Sequence, residues 1–430
     1  GATGDNIVLA GGATQSGFGR TGTVDWQTGS IKTATFTAAN GEGYFANTSG
    51  GAFTMNLPAG VVGAIVSVQD YNNTFDSNAL TVDANGTEKI NGGDAGEPVE
   101  LNTEGRGVTF VYVDATVGWR SVQDNDFTKK GVAATFITAT GGTVTCSGNF
   151  KIHTFTGPGT FTVCSVGNPA GSDSVDYIVV GAGGSGGQRI GGGGGAGGFR
   201  EGFNPGSYIA SPLATTALPV SVQGYGIVIG GGGPGGGNGP TGRIGVNGSL
   251  SSFSTITSAG GGGGGFYCNP GPSPTGTQAG LPGGSGGGGG SLGGGGSAGG
   301  TGNTPPVSPA QGFPGAPGVA ITCGYGGGGG GGATVIGTRR CNPTSGGPGG
   351  AGATTLITAS PVTYAGGGGG GSCSGAGAGG AGGGGAGSPN GPNATAGTAN
   401  TGGGGGGARG DSGNSGAGGS GIVVIRYKFQ

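Results

Sequence analysis

The sequence predicts all-β N-terminal modules, followed by a glycine-rich polyglycine-II helix bundle that a C-terminal β-strand closes. Three observations support this fold class. Short runs rich in Val, Thr, Phe and Tyr fill residues 31–180, glycine accounts for 125 of the 430 residues, and the chain ends with the apolar run "GIVVIRYKF". No amphipathic pattern with a helical period occurs in the sequence, so we expect no α-helix.

The N-terminal part divides into an extended lead-in and a β module. Residues 1–30 have little periodicity, and one short strand is expected around Ile7–Leu9. In residues 31–125, runs such as "AFTMNLP" and "VTFVYVDA" are separated by Gly, Asn, Asp and Pro. This spacing is typical of a β-sandwich or barrel-like module. Period-two alternation predicts that one strand points inward through Phe53, Met55 and Leu57.

Residues 126–180 form a second β segment, which leads directly into glycine. The motif "HTFTGPGTFTV" predicts a hairpin with Gly157-Pro158-Gly159 at its turn. Cys146 and Cys164 flank this hairpin, so we expect them to face each other. The run "VDYIVV" before the first glycines is as apolar as the final run of the chain, and the two are expected to pair.

In residues 181–430, about ten glycine runs alternate with loops that carry most of the side chains. Collagen is excluded because the Gly-X-Y period is missing, and disorder is disfavoured because only 8% of residues are charged. Ordering each glycine costs about 1–2 kcal/mol, and only backbone N–H and C=O groups can offset that cost. A left-handed helix with three residues per turn points these groups outward, so neighbouring helices can bond to one another. The repeated runs therefore predict a polyglycine-II bundle with loops at its ends.

The charge and cysteine content exclude several partners and sites. A net charge of −2 argues against nucleic acid or an anionic membrane as a partner. No apolar run approaches the roughly 20 residues of a membrane-spanning helix. No cysteine pair has the C-x-x-C spacing of a metal site. The six cysteines are candidates for disulfides in 15 different pairings: Cys146, Cys164, Cys268, Cys323, Cys341 and Cys373.

No catalytic or cofactor site is expected, so the chain is predicted not to be an enzyme. His153 is the only histidine and has no serine–histidine–aspartate or metal-binding context, so a strand role is favoured. The run "YIVVGAGGSGG" has the strand and glycines of a dinucleotide site but no following helix. Arg409-Gly410-Asp411 is interpreted as a solvated turn. Five acidic residues of the first β module could bind calcium, but hydrogen bonding within turns is the favoured interpretation. They are Asp70, Asp76, Asp83, Asp94 and Glu97.

Aromatic and cationic residues in glycine-flanked loops are the candidates for receptor contact. Aromatic rings offer stacking surface for sugars or protein at low entropic cost. The alternative, which the sequence leaves open, is that these side chains only cap the ends of the bundle. The candidates are Phe266, Tyr267, Tyr325, Arg339, Arg340 and Tyr364.

Residues 150–430 resemble the glycine-rich domain of bacteriophage tail fibres and adhesins. The motifs that carry the resemblance are, in order, "HTFTGPGTFTV", "VDYIVVGAGGSGG", "PVSVQGYGIVIGGGG", "SSFSTITSAGGGGGG" and "GGSGIVVIRY". A weaker likeness links residues 33–123 to β modules in fibre proteins of marine phages. The loops do not match those of known adhesins, so no receptor is carried over.

The resemblance implies an extracellular virion component that binds a host bacterium non-covalently. It also implies a homotrimer that contacts other tail proteins and a surface polysaccharide or outer-membrane protein of the host. Two other functions stay open. A purely structural filament component would bury its loops against other chains, whereas an ice-binding protein would present regular Thr or Ala arrays.

Overall fold

The computed structural model describes ten stretches of the chain and divides it into two compact units, Gly1–Ala133 and Ala134–Gln430. The short strand expected around Ile7–Leu9 lies outside the described residues. In the described part, no helix is long and apolar enough to cross a bilayer. The described residues are 24–122, 129–236, 243–266, 279–291, 296–319, 325–340, 345–373, 375–389, 392–410 and 413–430.

The first unit contains two open β-sheets in its described residues. One sheet has the strand order β1-β3-β5-β8-β9 and the other the order β2-β4-β6-β7. The strands are β1 (Asp25–Trp26), β2 (Phe36–Thr37), β3 (Glu42–Ala46), β4 (Phe53–Asn56), β5 (Ile65–Asp70), β6 (Leu80–Asp83), β7 (Val99–Leu101), β8 (Gly107–Asp114) and β9 (Gly118–Val122).

The chain of the first unit alternates between its two sheets from β1 to β6. Neighbouring strands within each sheet are therefore parallel in this region, as in a short β-solenoid. The predicted sandwich is thus present as two sheets around one core, and the described strands do not close into a barrel. The predicted inward face is confirmed, since these side chains are at most 9% exposed: Phe53, Met55 and Leu57.

The second unit contains a seven-stranded, a five-stranded and a two-stranded sheet. The first has the order β11-β12-β23-β14-β15-β16, with β17 also paired to β14, the second β10-β13-β18-β19-β20, and the third β21-β22. Their strands are β10 (Thr138–Thr140), β11 (Thr143–Ser147), β12 (Phe150–Phe155), β13 (Gly159–Ser165), β14 (Ser174–Val180), β15 (Phe199–Phe203), β16 (Ala214–Thr216), β17 (Leu218–Pro219), β18 (Gly224–Val228), β19 (Ser251–Phe253), β20 (Ile256–Ser258), β21 (Ala353–Thr355), β22 (Val362–Tyr364) and β23 (Ile422–Lys428).

The predicted pairing of the two apolar runs is confirmed. Strands β14 and β23 are antiparallel neighbours, with Val180 opposite Ile422. Both strands are buried on two faces. Side chains such as Val179 and Val423 contribute to the core shared with the five-stranded sheet, whereas Val180 and Val424 contribute to a second core on the opposite face. Burial on both faces explains why these strands are apolar throughout instead of alternating.

The predicted hairpin over residues 153–163 is wrong. Strand β12 pairs with β11 and β23, whereas β13 pairs with β10 and β18. The Gly157-Pro158-Gly159 turn therefore connects two different sheets instead of two neighbouring strands. The two flanking strands face each other through a shared hydrophobic core, to which Phe155 and Phe161 both contribute. The strands were correctly located, but each pairs with one strand that precedes this region (β11 or β10) and one that lies far along the chain (β23 or β18).

Between β14 and β23 lies a set of glycine-rich segments that we call the glycine array. Its described residues form no α-helix, and most of its glycines are buried. Their backbone N–H groups donate to carbonyl oxygens of other array segments, mostly at 2.7–3.1 Å. The array comprises residues 181–198, 230–236, 243–250, 259–266, 279–291, 296–302, 312–319, 326–338, 345–352, 365–372, 375–389, 394–398, 402–408 and 413–421.

Hydrogen bonding in the array has a period of three residues. Gly181, Gly184 and Gly187 donate to residues 198, 195 and 192, while the residue after each of them donates to segment 243–249. The next residues, Gly183 and Gly186, donate to segment 416–419. Successive N–H groups of one segment therefore point to three different neighbours.

The segment 191–198 is the clearest interior member of the array. It donates to three segments and accepts from three others, so that it has six bonded neighbours. A Cβ atom built on Gly193 would lie 2.0 Å from the carbonyl oxygen of Gly368. Glycine is therefore required here because neighbouring backbones fill the space of a side chain. The six neighbours lie at residues 181–187, 259–265, 285–288, 328–331, 368–371 and 402–408.

Candidate functional site: the distal end of the array

The hydrogen-bond register defines two ends of the array. At the end we call the sheet end, Gly181 follows directly from β14 and bonds to Gly198, and Gly421 leads into β23. At the opposite end, which we call the distal end, Gly187 bonds to Gly192 and Ala408 bonds to Gly187. The described turn at residues 188–190 of the distal end connects two antiparallel segments and carries side chains larger than glycine.

The turn at residues 188–190 lies at the centre of the distal end. It reverses the chain between segments 181–187 and 191–198, with positive φ angles of 52° at Arg189 and 57° at Ile190. The N–H of Gln188 donates to the carbonyl oxygen of Arg243 at 3.1 Å. Ala408, which precedes Arg409, donates to Gly187 and accepts from Gly191. Three arginines from distant parts of the sequence therefore surround one turn.

Two of the aromatic candidates are at the same end, but both are largely covered. Phe266 follows Gly265, which accepts from the N–H of Gly192, and its side chain is only 7% exposed. Tyr325 is half-buried, and its carbonyl oxygen accepts from the N–H of Cys373. These placements suit side chains that cover the ends of glycine segments. Tyr267 lies outside the described residues.

Arg339 and Arg340 are the exposed candidates of the distal end. The preceding segment runs antiparallel to segment 326–332, since Gly332 donates to Val335 and Gly329 donates to Thr338. This register runs from Val335 through Thr338 towards Gly326 and the distal end, and Arg339 and Arg340 directly follow Thr338. Both guanidinium groups are thus carried at the same end as the 188–190 turn.

Tyr364 is separated from the other candidates. It ends β22 at the sheet end, where it is 4% exposed and belongs to the second core of the seven-stranded sheet. Burial raises the pKa of its hydroxyl, and a hydrogen bond with Thr358 partly opposes that effect. A side chain this deeply buried acts in packing, so we leave Tyr364 out of the candidate surface.

The expected opposition of Cys146 and Cys164 is not found. Both are free, exposed thiols, on β11 and β13 of different sheets, because the hairpin that would have aligned them does not form. Cys373 is also a free thiol and is half-buried. The other disulfide candidates, Cys268, Cys323 and Cys341, lie outside the described residues.

Buried charges at the sheet end are paired with protein groups. Asp176 accepts hydrogen bonds from the backbone N–H and the side-chain amide of Asn204 at 2.7 and 3.1 Å. Burial raises the pKa of Asp176, and both the Asn204 hydrogen bonds and the charge of Arg426 oppose this. The Arg426 guanidinium stacks 4.1 Å from the Phe150 ring centre and donates to the Ser207 carbonyl oxygen at 2.9 Å. These contacts give the charges a structural role.

A second buried carboxylate joins three elements near the same region. Glu201 on β15 accepts from the Tyr208 hydroxyl at 3.0 Å, from the Ser211 N–H at 2.8 Å and from the Thr355 hydroxyl at 2.5 Å. Burial, followed by the charge of Glu201, raises the pKa of Tyr208. Both oxygens of the carboxylate therefore accept hydrogen bonds from protein groups.

Two of the acidic residues considered for calcium binding, Asp70 and Asp94, accept hydrogen bonds from backbone N–H groups of the first unit. Asp70 accepts from the backbone N–H groups of Thr74, Phe75 and Gly105 at 3.1–3.2 Å. Asp94 accepts from the N–H of Ala133 at 3.1 Å. Among the described residues, no group of three or more His, Cys, Asp or Glu side chains is placed to hold a metal ion. The third residue of Arg409-Gly410-Asp411 lies outside the described residues.

Sequence reasoning missed Arg189 and Arg243 of the distal end, and it assigned Arg409 only to a solvated turn. Each of the three is an isolated arginine in the sequence, whereas Arg339 and Arg340 are adjacent. A usable signal was that each interrupts or borders a glycine-rich stretch, where the chain must turn. Their convergence depends on which segments are neighbours, and a run of glycines does not encode that.

The combination of two facing β-sheets and a buried glycine array defines a glycine-rich structural domain. Residues 154–428, more than half of the chain, match the family model for the glycine-rich domain. The chain therefore belongs to the glycine-rich domain family. No curated protein matches it.

Proposed function

We propose that this chain is a bacteriophage tail fibre subunit or distal adhesin that binds a host bacterial surface non-covalently. The distal end of the glycine array is the contact surface. The observation that carries the proposal is that the register brings the 188–190 turn and the exposed residues Arg243, Arg339 and Arg340 to one end of a hydrogen-bonded scaffold. Turns on rigid scaffolds are where binding residues are commonly located.

We infer that the array segments are polyglycine-II helices. Support comes from the three-residue period of the donors, the six bonded neighbours of segment 191–198 and the lack of space for a Cβ atom at Gly193. A left-handed helix with three residues per turn and a rise of about 3.1 Å has this donor pattern. Each lateral bond contributes only about 0.5–1.5 kcal/mol, so stability requires many segments acting together.

Attachment through several copies fits this scaffold. We propose a homotrimer, anchored to other tail proteins, that presents three distal ends to a host polysaccharide or outer-membrane protein. Linked sites raise the effective concentration of each further contact, so weak individual sites suffice. Analytical ultracentrifugation of the purified chain tests the trimer, and a monomer at micromolar concentration would contradict it.

The proposed attachment is tested by covering the distal end. An epitope tag inserted after Arg340 lets an antibody block this end, and the same tag after Gly206, an exposed turn residue between β15 and β16, is the matched control. We expect the labelled chain to bind a subset of bacterial isolates saturably in flow cytometry. Antibody should abolish that binding only for the tag after Arg340.

Two results would contradict the proposal. The purely structural alternative would be favoured if the chain bound none of the isolates saturably and electron micrographs placed the distal end between other chains. Equal blocking by antibody at both tag positions would show that the contact is not made by the distal end.

A further inference from the structure

The charges of the array are distributed unevenly between its two ends. Residues 181–421 contain six arginines, no lysine and two acidic residues, Glu201 and Asp411. One arginine, Arg200, is on β15 at the sheet end, beside Glu201. The other five belong to the distal end: Arg189, Arg243, Arg339, Arg340 and Arg409.

The hydrogen-bond register brings three of these arginines around one turn. Arg189 lies within the 188–190 turn, and the carbonyl oxygen of Arg243 accepts a hydrogen bond from the N–H of Gln188. Arg409 directly follows Ala408, which is hydrogen-bonded to Gly187 and Gly191. The backbone of Arg409 is fixed further, since its N–H donates to the Ser388 hydroxyl at 3.2 Å. Backbone hydrogen bonds thus hold the main chains of these three arginines near one turn.

The remaining pair extends this cationic surface. Segment 326–332 separates Arg339 and Arg340 from the central turn, and it bonds to the central segment through Gly193 and Gly328. Arg243, Arg339 and Arg340 are exposed, whereas Arg189 and Arg409 are half-buried. Neutral hydrogen-bonding side chains lie at the same end and are exposed, including Thr338 and Asn393.

The absence of lysine from residues 181–421 points to a particular chemistry. Lysine and arginine carry the same charge, but the planar guanidinium group offers paired donors that match carboxylate, phosphate or sulfate oxygens. All six lysines of the chain lie outside this range: Lys32, Lys89, Lys129, Lys130, Lys151 and Lys428.

We propose that the distal end binds an anionic polysaccharide, whose acidic groups pair with the arginines and whose hydroxyls bond to the neutral side chains. This inference rests on the proposed function, because it names the chemical class of the surface ligand. A polymer that carries both acidic groups and hydroxyls fits a surface that presents both arginines and neutral polar side chains. A net charge of −2 gives little long-range attraction to the dense charge of nucleic acid.

The test measures binding of the full chain to defined polymers by biolayer interferometry. The probes are polygalacturonate, phosphomannan and dextran sulfate, which carry carboxylate, phosphate and sulfate, together with neutral dextran and a 20-base-pair DNA duplex. We expect binding to at least one charged glycan but not to dextran. Because salt screens exposed charges, affinity should fall at least tenfold between 0.1 and 1 M NaCl.

Substitutions locate the site. Arg339→Gln with Arg340→Gln should weaken glycan binding at least tenfold. The control variant, Arg120→Gln with Lys130→Gln, removes the same charge from exposed positions of the first unit. It should change the affinity for the glycan less than twofold. Circular dichroism melts confirm that both variants fold. The inference would be overturned if the two variants bound the charged glycan with equal affinity. It would also be overturned if dextran bound as well as the charged glycans, or if the DNA duplex bound more tightly than they do.

The cell assay distinguishes this inference from the proposed function. If the chain binds cells but no charged glycan, and the arginine variant binds cells normally, attachment stands and the anionic ligand is wrong. If the chain binds a charged glycan through the arginines but binds no cells, the ligand chemistry stands and the proposed attachment is wrong.

Discussion

His153 and Tyr427 are hydrogen-bonded inside the core between the seven-stranded and five-stranded sheets. The Tyr427 oxygen lies 3.2 Å from His153 Nε2, and His153 Nδ1 lies 2.7 Å from the carbonyl oxygen of Gly141. A carbonyl only accepts, so Nδ1 carries the proton and Nε2 accepts from the tyrosine. The rings stack with centres 5.5 Å apart. This arrangement satisfies a neutral imidazole and leaves no acceptor for a second proton.

The His153 environment predicts that the folded chain loses stability in mild acid. Burial is the main cause that lowers the pKa of His153 from its ordinary 6.5. The unfolded chain therefore takes up a proton first as the pH falls. Above about pH 7 the histidine is neutral in both states and does not make stability depend on pH. Below about pH 6.5 the free energy of unfolding should fall by up to about 1.4 kcal/mol per pH unit.

Urea unfolding followed by circular dichroism between pH 5 and 8 measures this dependence. His153→Gln removes the titrating group and should flatten the curve between pH 5.5 and 7. His153 is the only histidine, so its imidazole signals in NMR titrate without overlap. A midpoint at or above 6.5 in the folded chain would contradict the prediction.

Steric exclusion in the array predicts a large cost for one methyl group. Gly193→Ala places a Cβ atom 2.0 Å from the Gly368 carbonyl oxygen, so backbone must move, at a cost of about 1–3 kcal/mol. Gly231→Ala is the matched control, since nothing lies within 4 Å of its added Cβ. Its unfolding free energy should stay within about 0.5 kcal/mol of the parent value. Equal stability of both variants in urea titrations would refute the close packing.

Asp70 is predicted to hold a loop in place without a metal ion. Asp70→Ala removes the acceptor for three backbone N–H groups and should destabilise the first unit by about 3 kcal/mol. Asp76→Ala, at an exposed residue, should change stability by less than about 0.5 kcal/mol. Thermal melts with 5 mM calcium and with a chelator should coincide. A calcium-dependent rise in Tm that Asp70→Ala abolishes would reverse this interpretation.

The exposed thiols of Cys146 and Cys164 are predicted to react in the native chain. Since both are free, a thiol reagent that releases a coloured product should modify them without prior reduction. The double substitution Cys146→Ser with Cys164→Ser should lower the colour yield by two equivalents. An unchanged yield, with peptide mapping that finds the two cysteines linked, would indicate a disulfide.

Local patterns located the strands but only some of their neighbours. Alternation at Phe53 and Met55 identified an inward-facing strand, and the apolar runs of β14 and β23 predicted that these two strands pair. The Gly157-Pro158-Gly159 turn was misread because such a turn suits both a hairpin and a connection between sheets. The choice depends on β18 and β23, which lie far away in the sequence. The parallel winding of the first unit escaped prediction for the same reason.

The candidate surface was only partly accessible to sequence reasoning. Glycine abundance indicated that the backbone would hold the array together, but identical residues carry no register. Arg339 and Arg340 were noticed as a pair, whereas Arg189, Arg243 and Arg409 come together only through hydrogen bonds between distant segments. Tyr364 illustrates the converse error, because a glycine flank suggested exposure where the tertiary core covers the ring.

The lack of room for an added Cβ atom at array glycines such as Gly193 separates positions that tolerate no side chain from distal positions that already carry exposed ones. Substitution at these buried glycines is blocked sterically, whereas exposed distal residues such as Arg339 and Arg340 are open to exchange. We expect binding specificity to change through such exposed residues while the array is kept. The same property suits the array to engineering, as a frame for displaying randomised loops.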